Sequence, residues 1–211
     1  MPKQHPYIAV VGVMGSGKTT LARILGEELS AKVFEEEFED NAFLSRFYED
    51  MQRWALHCQL FYMTQKLTQA FSIKELLGEM PVVQDVPAGQ DIHVYACTLA
   101  RLGHLRAEEL KLLEGLFDLY KHQLPKPDLY IVIRISEELL GARIRDRGRH
   151  FEQGVTPEYV RALSDSFDEW VKGFPQERIL EITADAVDIQ KSPADREAII
   201  RQVKKRLGYV R

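Results

Sequence analysis

The chain has 211 residues, 45% of them hydrophobic and 28% charged, which suits one compact domain with a sizeable core. A net charge of −4 excludes a general nucleic-acid binder, whose footprint is strongly basic, and no apolar stretch approaches the roughly 18 residues of a membrane span. Two cysteines, Cys58 and Cys97, are too few for a disulfide-stapled secreted fold, so they read as small buried hydrophobes of a soluble, cytoplasmic protein.

Short apolar runs alternate with long helical patterns, the mark of an α/β fold on a parallel sheet. Strands are expected at Tyr7–Val11, Lys32–Glu36, Val82–Asp85, Leu129–Ile135 and Arg178–Thr183. Helices are expected at Lys18–Leu29, Asn41–Glu49, Met51–Leu77, Ile92–Arg101, Ala107–Gln123, Glu137–Arg147, Pro157–Lys172 and Ala194–Leu207. In such sheets ligands bind beyond the carboxyl ends of the strands, so the residues after each strand carry the argument.

Strand one runs into Gly12-Val13-Met14-Gly15-Ser16-Gly17-Lys18-Thr19, a complete G-x-x-x-x-G-K-[ST] loop opening a helix. Its glycines let backbone N–H groups turn around a phosphate at a helix N-terminus, with Lys18 on the β- and γ-phosphates and the Thr19 hydroxyl on Mg²⁺. Strand two ends in Glu35-Glu36-Glu37, where alternation sends Glu36 away from its neighbours. An acid there suits a hydroxyl acceptor, which must lose a proton; the other reading is a solvated acidic run.

The long helix from Met51 is apolar nearly all round in its first half and is expected to be buried, with Gln52, Gln59 and Lys66 forming a polar stripe at spacing seven. A polar ligand or other protein groups could partner that stripe. Strand three delivers Asp85, either a metal-holding acid beside the loop or a turn residue. After strand four, Ser136 caps a helix whose end gathers Arg143, Arg145, Arg147 and Arg149 around Gly148. Arginines there can close over a transferring group, or simply complement the helix dipole. Thr156-Pro157 caps the next helix.

Together these residues resemble the deoxynucleoside kinase family over nearly the whole chain. The strongest stretches are Gly12–Thr20, Glu36–Asn41, Phe47–Lys66, Pro127–Ile135 and Arg143–Tyr159; within them Tyr48–Trp54 is similar to the family's substrate-helix entry and Arg143–Gly154 to its lid, the more specific signal than the phosphate loop. The resemblance implies a three-layer P-loop kinase fold over residues 1–211: a five-stranded parallel sheet, order 2-3-1-4-5, flanked by helices, with an Arg-rich lid at about 143–155. It implies ATP on Gly12–Thr20, with Asp185–Val187 as the adenine-contacting loop and with Lys18, Arg143, Arg147 and Arg149 on the phosphates. Mg²⁺ would sit on Thr19 and Asp85, and Glu36 would take the acceptor's 5′-hydroxyl proton. Tyr48 and Glu152 would hold the sugar 3′-hydroxyl, Gln59 and Asp91 would read the base beside Lys66, and Tyr95 would stack. A homodimer through long helices is also implied.

Two departures from the family's pattern are present. Asp85-Val86-Pro87 stands where an acid-Arg-Ser triplet is common, which leans toward a purine deoxynucleoside, and Lys66 replaces an arginine. Two other readings stay open. A thymidylate-type monophosphate kinase would need a basic residue near strand two, where no arginine precedes Arg46. A non-catalytic nucleotide-binding subunit would have lost Glu36, Asp85 or the lid arginines, which are all present.

Overall fold

The computed structural model describes residues 5–148 and 154–209. Its strands are β1 (Tyr7–Val11), β2 (Lys32–Phe34), β3 (Val82–Asp85), β4 (Leu129–Arg134) and β5 (Ile179–Thr183). They form one parallel sheet in the order β2-β3-β1-β4-β5. All five residues of β1 are buried, as expected for a central parallel strand covered on both faces. Because β1 lies between β3 and β4, the chain winds both ways from it and leaves a crevice at its carboxyl end.

Alternation along β1 divides the core. Ile8 and Val10 pack with α1 (Lys18–Leu29), whose apolar face is Leu21, Ala22 and Leu25. The C-terminal helix, Pro193–Arg206, joins them through Ile199, Ile200 and Val203. Ala9 and Val11 face the opposite layer: α2 (Leu44–Glu49), α3 (Met51–Leu76), the helical residues 88–101 (α4), α5 (Ala107–Tyr120), α6 (Glu137–Arg147) and α7 (Pro157–Val171). The C-terminal helix is therefore α8. Gly26 of α1 lies so close to β2 that a Cβ there would come within 2.2 Å of Val33 Cγ2.

The expected elements are present with shifted ends. Ser136 caps α6 by accepting from Leu139 N–H at 3.2 Å, and Thr156 caps α7 by accepting from Tyr159 N–H at 3.2 Å. Strand β2 stops at Phe34, so Glu35 and Glu36 follow the strand instead of ending it. Helix α4 begins at Ala88, four residues before Ile92, and its middle turn, Asp91–Ala96, is a π-helix. The first half of α3 is not buried all round: Gln52, Arg53 and His57 are exposed, and the buried residues Ala55, Cys58, Gln59, Tyr62, Met63 and Lys66 mark a single face. Gln52 therefore leaves the polar stripe, and Gln59 and Lys66 remain. Cys58 is buried but Cys97 only half-buried; both thiols are free. Among the described residues, no helix is long and apolar enough to cross a membrane.

Candidate active site

Gly12–Thr19 connects β1 to α1 as the sequence requires. Gly15 and Gly17 have φ of 77° and 103°, left-handed values that glycine adopts without strain, and these turn the loop at the helix N-terminus. Val13 and Met14 are packed into the core, which anchors the loop from below. Lys18 Nζ donates to Val13 O at 3.0 Å, across the hollow of the loop. Burial lowers the Lys18 pKa, while Asp85 and Glu36 pull it back up. Ser16 is buried, and its hydroxyl has no hydrogen-bond partner among the described residues.

Asp85 ends β3 opposite Val10 of β1, beside the loop, and the Asp85–Val86 peptide is cis. Thr19 Oγ1 donates to Asp85 Oδ2 at 2.5 Å, while Asp85 Oδ1 is buried without a partner among the described residues. A hydroxyl and a carboxylate with an unused buried oxygen fit Mg²⁺, which takes its remaining ligands from phosphate and water.

From α6, Arg143 Nη1 donates to Ser16 O at 2.9 Å, placing its guanidinium on the loop. Arg147 is exposed, yet its charge bears on Lys18 and lowers the Lys18 pKa. Arg149 and Glu152 lie outside the described residues, as does the middle of the expected lid, residues 149–153. Gly148 ends α6 with φ of 61°. The loop after β5 reaches the same end of the sheet. Asp185 accepts from Ser136 N–H at 2.9 Å and from the Ser136 hydroxyl, and these bonds hold its carboxyl below the usual range. Gln190 Nε2 lies 3.4 Å from Thr20 Oγ1, and Val187 packs against the α1–α8 side of the core.

The three acids after β2 part company. Glu35 forms a two-pronged ion pair with Arg23, both contacts at 2.6 Å, and Glu37 is exposed. Glu36 turns inward, its Oε1 3.9 Å from Nζ of Lys66, which is fully buried. A buried chain supports this segment: Tyr7 hydroxyl to Gln84 Oε1, Gln84 Nε2 to Gln69 Oε1 at 2.9 Å, and Gln69 Nε2 to Glu35 O at 2.8 Å. Gln84 is the polar break in an apolar strand. The requirement that buried amides find partners was the signal for this chain.

Asp91, on α4, is 3% exposed. Burial pushes its carboxyl up to about 8, Lys66 and Lys18 pull it down, and Glu36 pushes it further up. Asp91, Lys66, Glu36 and Lys18 thus lie within one field, which joins the phosphate loop to the interior of the α3–α4 layer. Gln59 Oε1, Lys66 Nζ and Asp91 Oδ2 are all buried with no hydrogen-bond partner among the described residues. Tyr95 borders this group; burial drives its hydroxyl pKa well up, with Glu36, Tyr159, Tyr48 and Asp91 adding to the effect. Tyr48 meets Phe47 edge-on at 5.0 Å. The structure therefore brings together Lys18, Thr19, Asp85 and Arg143 on one side and Glu36, Lys66, Asp91, Tyr48 and Tyr95 on the other, with Gln59 on the same buried face of α3 as Lys66.

No sequence motif marks Gln90. Gln90 is fully buried and bonds both backbone groups of Gly12: Gly12 N–H donates to Oε1 at 3.2 Å, and Nε2 donates to Gly12 O at 2.8 Å. Chemically, the arrangement pairs a phosphate cradle with a carboxylate held by a buried ammonium. That combination suits phosphoryl transfer to a hydroxyl, which needs a base, better than transfer to an already anionic acceptor.

Residues 8–207 match the family described as Deoxynucleoside kinase. A deoxyguanosine kinase of Bacillus subtilis is 28% identical over 203 residues, covering 94% of this chain and 96% of its own. A deoxyadenosine kinase of Dictyostelium discoideum is 31% identical over 166 residues, covering 79% of this chain and 66% of its own. Among solved structures, a deoxyadenosine kinase from M. mycoides with bound dATP superposes with a TM-score of 0.81 at 21% identity, covering 95% of this chain and 100% of its own.

Proposed function

The chain belongs to the deoxynucleoside kinase family, and from that premise we propose that it transfers the γ-phosphoryl group of ATP to the 5′-hydroxyl of a purine deoxynucleoside. The observation that carries the acceptor half is two buried polar atoms without a hydrogen-bond partner among the described residues, Gln59 Oε1 and Asp91 Oδ2, in the interior where Glu36 meets Lys66. Such atoms are costly to bury unless a polar ligand completes them, and a base edge offers matching donors and acceptors.

Glu36 takes the 5′-hydroxyl proton as that oxygen attacks the γ-phosphorus. The bond from the γ-phosphorus to the bridging β–γ oxygen breaks, and ADP leaves. Lys18 and Arg143, with Arg147 and Arg149, offset the charge on the transferring group. Thr19 and Asp85 would hold Mg²⁺, which would supply neutralising charge at the phosphates. Tyr48 and Glu152 hold the 3′-hydroxyl, Tyr95 stacks on the base, and Asp185 and Val187 border the adenine of the donor. Residues 1–211 act as one cytoplasmic domain that pairs with a second copy. Pairing is supported by the exposed Leu112 and Leu119 of α5, seven residues apart, and by exposed Phe71 of α3. Against a monophosphate acceptor stands Arg46, the first arginine after β2, whose guanidinium lies 5.1 Å over the Trp54 ring.

The test is magnesium-dependent ADP release with ATP and each deoxynucleoside, alongside dTMP and dAMP, with Glu36→Gln as control. Turnover of deoxyguanosine or deoxyadenosine that falls by ~10²–10⁴-fold in Glu36→Gln supports the proposal. Turnover of the monophosphates alone overturns it.

A further inference from the structure

Lys66 is the largest fully buried side chain among the described residues, and its ammonium has no hydrogen-bond partner. A buried cation requires counter-charge close by. Two carboxylates are in its field, Glu36 at 3.9 Å and Asp91. They are not equivalent: Glu36 is the one whose carboxylate forms an ion pair with Lys66, at 3.9 Å, while burial pushes the Asp91 carboxyl up and so disfavours its charged form. The residues that follow β3, Val86 and Pro87, bring no charge to this spot. Glu36 itself is only partly covered, with its side chain 29% exposed, and it lies just past the short strand β2, where the ladder no longer fixes it.

We propose that Lys66 is the positioning residue for Glu36: its buried ammonium aims the carboxylate at the acceptor hydroxyl and keeps it there, so that Lys66 acts on the chemical step through Glu36 rather than as an independent contact to the substrate. The α3 backbone makes this effective. Lys66 lies in the 26-residue helix, between buried Met63 and buried Ala70, so its stem is held by the core while its charged end meets Glu36. The partly exposed member of the pair is thereby oriented by the buried one.

This inference rests on Glu36 being the base, so the experiment separates the two claims. Steady-state kinetics with ATP and the fastest deoxynucleoside are measured for Glu36→Gln, Lys66→Met, Lys66→Arg and the Glu36→Gln/Lys66→Met pair, each checked for folding by near-ultraviolet circular dichroism. Lys66→Met is expected to lower kcat on the order of 100-fold with the acceptor KM changed far less, the lower end of what a base is worth. Lys66→Arg keeps a cation and is expected within about tenfold of the parent kcat. In the Glu36→Gln background, Lys66→Met is expected to cost no more than about threefold further, because residues that act as a unit are not additive. A full multiplicative loss in the double variant, or an effect confined to acceptor KM, overturns the role of Lys66 while leaving Glu36 as base. A parental kcat in Glu36→Gln overturns the base assignment and this inference with it. Should Lys66→Met not fold, Lys66→Arg decides: a kcat as low as that of Glu36→Gln overturns the role.

Discussion

The carboxamide of Gln90 holds the backbone of Gly12 at both its N–H and its carbonyl, tying the start of α4 to the first residue of the phosphate loop. Gln90 is directly followed by Asp91, so one short segment touches the donor side through Gly12 and the acceptor side through a carboxylate in the field of Glu36 and Lys66. Gln90→Leu keeps the volume but strands two buried backbone groups, each costing about 1–3 kcal/mol. We expect a lower melting temperature, by about 2–4 °C per kcal/mol for a chain of this size, together with a raised KM for ATP. Differential scanning fluorimetry checks the first and initial rates at varied ATP the second.

Asp85→Asn removes charge where Thr19 and Asp85 meet, yet leaves an oxygen for the Thr19 hydroxyl. The Mg²⁺ concentration for half-maximal rate is expected to rise roughly tenfold or more, equivalent to about 1.4 kcal/mol of lost affinity. An unchanged Mg²⁺ dependence would remove Asp85 from the metal site.

Asp91 makes stability depend on pH. Its folded pKa, about 8, stands above its ordinary value of 3.8, so the folded state binds the proton more tightly than the unfolded chain. This contribution is fully present below pH 3.8 and is lost as pH rises through about 8. The ligand-free protein should therefore lose stability between pH 5 and pH 8 from this group, against the opposing pull of Lys66 and Lys18. Asp91→Asn should flatten that slope, as read from urea midpoints at several pH values.

Leu119 is 76% exposed on α5, in line with Leu112 one heptad earlier. Leu119→Glu would place a charge in the proposed contact between copies. Light scattering is expected to change from a dimeric to a monomeric mass; a monomer already in the parent protein would remove this surface from the argument.

How far the sequence could go depends on whether a signal is local. The phosphate loop and its flanking β1 and α1 are legible because glycine spacing, Lys18 and Thr19 form one contiguous pattern, and the Ser136 and Thr156 caps act over three residues. The start of α4 is not legible in the same way. Pro87 and Gly89 discourage a helix, so the expected start falls at Ile92, whereas burial of Ala88 and the Gln90–Gly12 bonds hold the earlier turn in place. The pairing of Glu36 with Lys66 joins residues thirty apart, which no periodicity records. The exposure of Gln52 beside buried Gln59 and Lys66 is likewise settled by tertiary packing, because a spacing of seven on a 3.6-residue helix marks a stripe but not what covers each end of it.

The π-turn at Asp91–Ala96 has an evolutionary consequence. Such a turn accommodates one residue more than an α-helix would, and its loss returns the helix to ordinary geometry. Deleting one residue there should leave a foldable helix, but each residue on one side of the cut would turn by about 100° relative to those on the other. With Thr98 and Leu99 anchored in the core, Gln90 and Asp91 would swing away from Gly12 and Lys66. A lineage could thus discard this site through a single in-frame codon loss while keeping its scaffold, and an alignment gap inside 91–96 would mark where that had happened.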